Sequence, residues 1–298
     1  MDGQSASDYY RGECTYTKSF AKPELHAGEE LYLEINGANS SSEVSLNGKV
    51  LAAHDGGYST YRVNLTNELL DTNELQIKVD NSPNDHVYPQ KADFTFYGGL
   101  YRDVKLITVA GSHFDLDYYG GKGFYVTPEM KEDGSAEVRF DAYVCGEADG
   151  VRVSVCGESD RQSLELAIPT DEVQTLYDDG ELARVRHFTG VITLDNPHLW
   201  QGLKDPFLYT ATAELKKDGQ AIDEVTAKFG CRSYSFDPDK GFFLNGESYP
   251  LRGVSRHQDR LGVGNALTKE MHDEDMELIL SVGANSIRLA HYQHDQYF

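Results

Sequence analysis

Up to about residue 230, apolar and polar residues alternate in short runs: LYLEI (31–35), VSLNGKV (44–50), YRVNL (61–65), LQIKV (75–79) and YRDVKLITV (101–109). A period of two sends successive side chains to opposite faces, so each run predicts a half-buried strand. The Asn47-Gly48 dipeptide lies between apolar runs. It predicts a two-residue hairpin, because both central positions of the favoured turn need positive φ. No helical period separates the runs, so the first region reads as a β-sandwich or jelly roll. Beyond Gly111 a second set follows: AEVRFDAYV, VRVSV, LELAI, RVRHFTGVITL and LYTATAEL, with Asp133-Gly134 and Asp149-Gly150 as predicted turns. Its size and strand count suit an immunoglobulin-like sandwich, without the Cys-Trp-Cys hallmark of antibody domains.

After Phe236 the period changes. YPLRGV (249–254) reads as a buried strand, and LTKEMHDEDMELILSVG (267–283) as a helix. Thr268 is its predicted N-cap, and Glu270, Asp273, Glu274 and Asp275 crowd the early turns, where the helix dipole favours negative charge. Met276, Ile279 and Leu280 form the apolar stripe, and Gly283 suits the position after the C-cap. NSIRLA (285–290) is the next strand. Strand, helix, strand predicts a parallel pair joined by a right-handed crossover. A parallel sheet needs both faces covered. Two strands cannot do this, so the chain reads as a fragment that opens an α/β domain without completing it.

Composition narrows the function. The chain has 298 residues and a formal net charge of −22, which argues against nucleic acid and against an anionic membrane surface. No run approaches the roughly 18 apolar residues of a membrane span. MDGQSASDYY has no signal-peptide core, so a cytoplasmic protein is expected. The four cysteines read as free thiols of a reducing compartment. Cys145 and Cys156, which flank the predicted Asp149-Gly150 hairpin, are the one pair to test for a disulfide.

Two histidines occupy equivalent posts. His257 falls just beyond YPLRGV, and His291 directly follows NSIRLA. Strands of a parallel α/β barrel carry their active site at the carboxyl ends, so both imidazoles are predicted on one rim, within reach of a common ligand. Arg288 lies inside the second strand. A buried guanidinium needs a partner, and a carboxylate in the barrel interior is expected, with an active-site glutamate outside this chain as the candidate. His294 reads as a surface residue. A metal site from His257, Asp259, His291 and His294 lacks HxxxH or HxH spacing. In YPQKADFTFYGGLYRDV (88–104), Asp93 stands among Tyr88, Phe94, Phe96 and Tyr97. Aromatic faces beside a carboxylate suit sugar recognition; the alternative is a rigid turn whose rings only pack. Asn67-Glu68 and Asn73-Glu74 sit within the strand-and-loop pattern of the first region and read as chance matches to an Asn-Glu catalytic pair.

FYGGLYRDVKL (96–106), NPHLWQGLKDPFLYTATAEL (196–215), GFFLNGESYPLRGVSRHQD (241–259) and GANSIRLAHYQHDQYF (283–298), in this order, resemble glycoside hydrolase family two. The likeness runs over nearly the whole chain, and RHQDRLGVGNAL resembles the β-galactosidase branch. The resemblance implies a mainly β chain: a jelly-roll sugar-binding domain (1–111), an immunoglobulin-like β-sandwich (112–232) and the first βαβ unit of a (β/α)8 barrel (233–298). It implies substrate-binding roles for Asp93, His257, His291 and Arg288, with a sodium ion close to the Asp93 position. No cofactor is implied for this stretch; sodium and magnesium are implied for the full-length enzyme.

Gln258 departs from the glutamate that many members carry. The acid/base and nucleophile glutamates are expected beyond Phe298, so this chain alone is expected to be inactive. The implied partner is a terminal β-D-galactoside or an oligosaccharide, and a homo-oligomer is expected. A β-glucuronidase or β-mannosidase of the same family, a non-catalytic carbohydrate-binding protein and a structural scaffold are the competing readings.

Overall fold

A computed structural model describes residues 10–87, 94–157, 161–166, 174–175 and 184–298. The chain divides into two compact units, residues 1–109 with 253–298, and residues 110–252.

In the first unit, strands β1 (Glu13–Ala21), β2 (Glu30–Ile35), β3 (Ala38–Asn39), β4 (Ser41–Leu46), β5 (Lys49–Asp55), β6 (Tyr61–Asn64), β7 (Thr72–Asp80), β8 (Gly99–Leu100) and β9 (Val104–Val109) form the β-domain. One sheet runs β1-β7-β4-β5 and a second β6-β2-β9, with β3 and β8 as a separate pair. The predicted alternation is realised. Val44 and Leu46 of β4, Leu31, Leu33 and Ile35 of β2, and Ile77 and Val79 of β7 meet in one core. Asn47 (φ 52°) and Gly48 (φ 82°) make the β4–β5 turn in the left-handed region, as that dipeptide predicts. The two Asn-Glu pairs are structural. Asn73 is buried and its side chain both accepts from Leu70 N–H and donates to Leu70 C=O, while Glu68 pairs with Lys49.

The second unit contains β10 (His113–Phe114), β11 (Phe124–Met130), β12 (Ala136–Cys145), β13 (Gly150–Cys156), β14 (Arg161–Leu166), β15 (Gln174–Thr175), β16 (Arg184–Leu194), β17 (Tyr209–Lys217) and β18 (Gln220–Phe229). One sheet is ordered β10-β12-β16-β15 with β11 paired to β12; the other is β14-β13-β17-β18. Their inward residues share a core that includes Val138, Phe140, Val144, Val151, Val153, Ala211 and Leu215. Asp133-Gly134 lies in the β11–β12 turn, with Gly134 at φ 87°.

The Asp149-Gly150 hairpin is not formed. β12 and β13 belong to different sheets, so the segment between them is a crossover; alternation along a strand identifies a strand but not its partner. Cys145 and Cys156 therefore stand in separate sheets. All four cysteines are free, and the Cys145 thiol donates to Asp115 Oδ1 at 3.3 Å.

β19 (Tyr234–Asp237), β20 (Gly241–Leu244) and β21 (Glu247–Ser248) close this unit as a small antiparallel sheet. The predicted YPLRGV strand is shorter than its apolar run. Tyr249 N–H donates to Phe242 C=O at 2.9 Å, which continues the β20–β21 pairing. The next strand, β22, is Gly253–Arg256 alone.

β22, helix α1 (Lys269–Ser281) and β23 (Ser286–Leu289) complete the first unit. β22 and β23 pair in parallel, from Gly253 opposite Ser286 to Arg256 opposite Leu289. Thr268 caps α1 by accepting from Met271 N–H, and Gly283 follows the C-cap at φ 75°, both as read from the sequence. The apolar stripe is only half realised: Leu280 is 47% exposed, and the buried residue of the helix is His272. Among the described residues, no helix is long and apolar enough to cross a membrane.

Candidate functional site

The parallel register delivers the two predicted histidines together. Arg256 and Leu289 are the last paired residues, and Ala290 N–H extends the pairing by donating to Arg256 C=O at 2.9 Å. His257 and His291 follow at the carboxyl ends, with ring centroids 5.1 Å apart and planes at 73°. Phe94 touches both, at 5.3 Å from the His257 ring and 5.6 Å from the His291 ring. Tyr292 lies 5.4 Å from Phe94 and stacks on Tyr58 at 4.1 Å, so rings of the β-domain and of the 290–292 turn form one wall. Aromatic residues around Asp93 were the signal in the sequence. Asp93 itself lies outside the described residues, as does Tyr88.

Arg288 is the third residue of β23. It is exposed and donates from Nη2 to His291 Nδ1 at 2.9 Å, with no carboxylate partner among the described residues. Guanidinium only donates, so His291 Nδ1 must accept, and the neutral ring carries its proton on Nε2. Nδ1 of His257 is buried without a hydrogen-bond partner among the described residues.

Behind the histidines stands a polar cluster that residue patterns did not reveal. Arg256 is 6% exposed. Its Nε and Nη2 donate to Asp275 Oδ2 at 2.9 and 2.6 Å, Nη1 donates to His294 Nδ1 at 3.1 Å, and Nη2 reaches His272 Nδ1 at 3.0 Å. The Phe298 ring covers the guanidinium at 3.8 Å. His294 is therefore not a surface residue: it is 8% exposed, accepts from Arg256 and donates from Nε2 to Ala290 C=O at 3.1 Å. Burial, with the Arg256 charge beside it, holds His272 below the ordinary histidine pKa. Burial does the same for His294, partly opposed by the bond to Ala290. Acidic residues attributed to the helix dipole have specific partners as well. Asp275 also binds Arg260 at 3.0 Å, and Glu274 binds Arg260 at 2.6 Å.

A second arginine, Arg102 of the YRDV stretch, ties the β-domain to the parallel segment. It donates to Tyr58 C=O at 2.8 Å and Asn36 C=O at 3.2 Å on one side, and to Gln293 C=O at 2.8 Å on the other. Gln258 is 1% exposed. Its Oε1 accepts from Asp295 N–H at 2.7 Å and from Arg102 at 3.5 Å, and its own N–H donates to the Tyr292 hydroxyl at 3.2 Å. The departure at position 258 thus places a neutral amide where a glutamate would add charge beside Asp295. Asp259 is exposed, and no group of three or more His, Cys, Asp or Glu suited to a metal ion occurs among the described residues.

Three models of one family match the chain in consecutive order: "Glycosyl hydrolase 2 galactose-binding domain-like" over residues 4–105, "Glycosyl hydrolases family 2" over 122–232, and "Glycosyl hydrolases family 2, TIM barrel domain" over 238–298. The chain belongs to glycosyl hydrolase family 2. Among its curated relatives, a β-glucuronidase of Bacteroides fragilis is 36% identical across 97% of this chain and 41% of the relative. β-Galactosidase BoGH2A of Bacteroides ovatus is 29% identical across 93% of the chain and 31% of its own length. The solved FMN-binding β-glucuronidase of F. prausnitzii L2-6 superposes with a TM-score of 0.83 at 42% identity, covering 97% of this chain and 43% of that one. This chain thus spans about two-fifths of the B. fragilis relative.

Proposed function

We propose that the full-length protein is a retaining exo-β-glycosidase, and that His257, His291, Arg288 and Asp93 in this chain bind the terminal sugar. The observation that carries this reading is the pair of imidazoles 5.1 Å apart at the carboxyl ends of adjacent parallel strands, in a family 2 chain. Two hydrogen-bonding rings beside the Phe94 face suit a pyranose, whose hydroxyls and C–H faces meet both kinds of surface. In a retaining reaction one carboxylic acid protonates the glycosidic oxygen while a carboxylate about 5 Å away attacks the anomeric carbon. Both glutamates are assigned to the part of the protein outside this chain. Here the residues orient the sugar, and the 298-residue chain alone has no hydrolytic activity.

β-Glucuronides are the favoured substrate class. The relatives at 36% and 42% identity are both β-glucuronidases. The exposed Arg288 guanidinium, held beside His291, is a cation for a sugar carboxylate. β-Galactosides are the second reading, supported by RHQD at 256–259 and by the β-galactosidase relative. Assaying the full-length protein with p-nitrophenyl β-D-glucuronide and β-D-galactoside decides between them. A kcat/KM ratio above about tenfold for the glucuronide supports the first reading; the reverse supports the second. Turnover of neither would remove the glycosidase proposal.

A further inference from the structure

The second unit exposes an aromatic and polar surface of its own. On the face of the β11-β12-β16 sheet turned away from the Phe140 core, Tyr125 and Thr127 of β11 stand beside Arg139, Asp141 and Tyr143 of β12, and these beside His187, Thr189 and Val191 of β16. Tyr125 is opposite Asp141, which is opposite Thr189; Tyr143 is opposite His187. The polar groups are already oriented. His187 Nε2 bonds Asp141 Oδ1 at 2.9 Å, Arg139 Nε meets Asp141 Oδ2 at 3.1 Å, and the His187 ring stacks on Tyr143 at 4.6 Å with planes 8° apart.

A turn folds onto one end of this face. Asp115 Oδ2 accepts from the N–H groups of Tyr118 and Asp117, at 2.7 and 3.2 Å. Tyr118 then packs on Tyr143 at 4.5 Å and edge-on to Tyr125 at 5.6 Å. Its neighbour Tyr119 has φ 50° and ψ 27°, in the left-handed region that a tyrosine seldom adopts. The ring it projects is 86% exposed, 4.6 Å from the Tyr118 ring. The turn is closely packed: a Cβ on Gly123 (φ 67°) would meet Asp115 N and O at 2.6 Å, and one on Gly121 would collide with the Tyr125 hydroxyl. A bulky aromatic is thus open to solvent on a backbone in an unfavourable conformation, its ring against Tyr118, which packs on Tyr125 and Tyr143 of the face that carries Asp141 and Arg139. Such strain persists where the surroundings over-determine it, and it concentrates at ligand contacts.

We propose that this face is a carbohydrate-binding surface, with Tyr119 as the stacking platform and Asp141 and Arg139 as the groups that hold vicinal hydroxyls. A purely apolar partner would strand the charges of Asp141 and Arg139 without water. A nucleic acid would meet a chain of net charge −22. A pyranose chain offers both the C–H face that stacks and the donors and acceptors that the carboxylate and guanidinium require. The Tyr118 ring that supports Tyr119 is already packed on Tyr143 and Tyr125, so binding need not order it. The inference is independent of the activity proposed above, since it needs neither the histidines nor turnover.

The test is isothermal titration of the 298-residue chain with cellohexaose, xylohexaose and β-1,4-galactohexaose. At least one is expected to bind saturably. Tyr119→Ala is expected to weaken that binding about tenfold or more, Tyr119→Phe to retain it, and Asp141→Asn to weaken it. Tyr234→Ala, which removes a ring that is 64% exposed elsewhere in the second unit, is expected to leave it unchanged. Tyr119 lies at the surface, so an unaltered melting temperature accompanies loss of binding. No binding of any of the three sugars overturns the proposal. So does binding undiminished in Tyr119→Ala. In the full-length protein, protection of Tyr119 from nitration in the absence of sugar would show the ring covered by protein and overturn it as well.

Discussion

The sandwich of the second unit and the parallel segment of residues 253–298 are held in opposite ways. In β12 the inward residues Ala136, Val138, Phe140, Ala142 and Val144 are all 0% exposed, and they close on Val151 and Val153 of the facing sheet. In the parallel segment the buried positions are largely polar: Arg256, Gln258, His272 and His294 are each under 9% exposed. Its aliphatic residues Leu278, Leu280, Val282 and Leu289 are 47–73% exposed. Non-directional burial tolerates many sequences of suitable volume. A buried guanidinium does not, because each of its donors needs an acceptor in place. The sandwich is therefore ordered by area, and the buried polar groups of the segment by geometry around one charge.

The largest effect that sharpens this contrast is expected in the sandwich. Phe140→Ala removes a ring from a core without exposed neighbours, and is expected to lower the stability of the second unit by about 3–5 kcal/mol, measured by urea denaturation. The parallel segment should respond instead to Arg256→Met, which conserves volume but leaves His272 and His294 without their donor and removes one of the two arginines on Asp275. Breaking a fully buried pair costs roughly 3–5 kcal/mol. Asp275 is 23% exposed and keeps Arg260, so a local loss of about 2 kcal/mol is expected. Hydrogen exchange over residues 253–298 reads it. Unchanged protection there would break the comparison.

Acid should act on the same cluster. His272 and His294 have folded pKa values below the ordinary 6.5. Above that value both rings are neutral in either state and nothing is lost. As pH falls below it, the unfolded chain takes up protons that the folded one refuses, so stability declines with falling pH. The decline is expected in the exchange rates of residues 253–298, with a smaller slope in His294→Gln, where one titrating ring is gone. An equal slope in that variant would assign the acid response elsewhere.

Legibility in the sequence follows the same division. The alternating runs, the Asn47-Gly48 turn, the cap at Thr268 and the parallel pair were readable because each rests on contacts a few residues apart or on one repeated period. The posts of His257 and His291 were readable too, since strand ends fix them. The Asp149-Gly150 crossover was not, because alternation is silent on which sheet a strand joins. Nor was the burial of His294. Its acceptor role depends on Arg256, a long-range partner that no local pattern reports. Charged residues within a helix look solvated until the residue they neutralise is located, and that is why Asp275 read as a dipole contact.

The smallest effect belongs to the turn that the sequence announced most clearly. Gly48 sits at φ 82°, and a Cβ there would meet nothing within 4 Å. Gly48→Ala therefore adds no clash, and only backbone strain in the left-handed region opposes it, worth about 1 kcal/mol. Part of that is offset because alanine also restricts the unfolded chain. A loss near 1 kcal/mol in the urea transition of the first unit, with histidine-site contacts undisturbed in spectra, is the expected outcome. A loss of several kcal/mol would mean that the β4–β5 hairpin carries more than its own turn: Asn47 also donates to Glu68 C=O and accepts from Glu74 N–H, and displacing it would unpin β7.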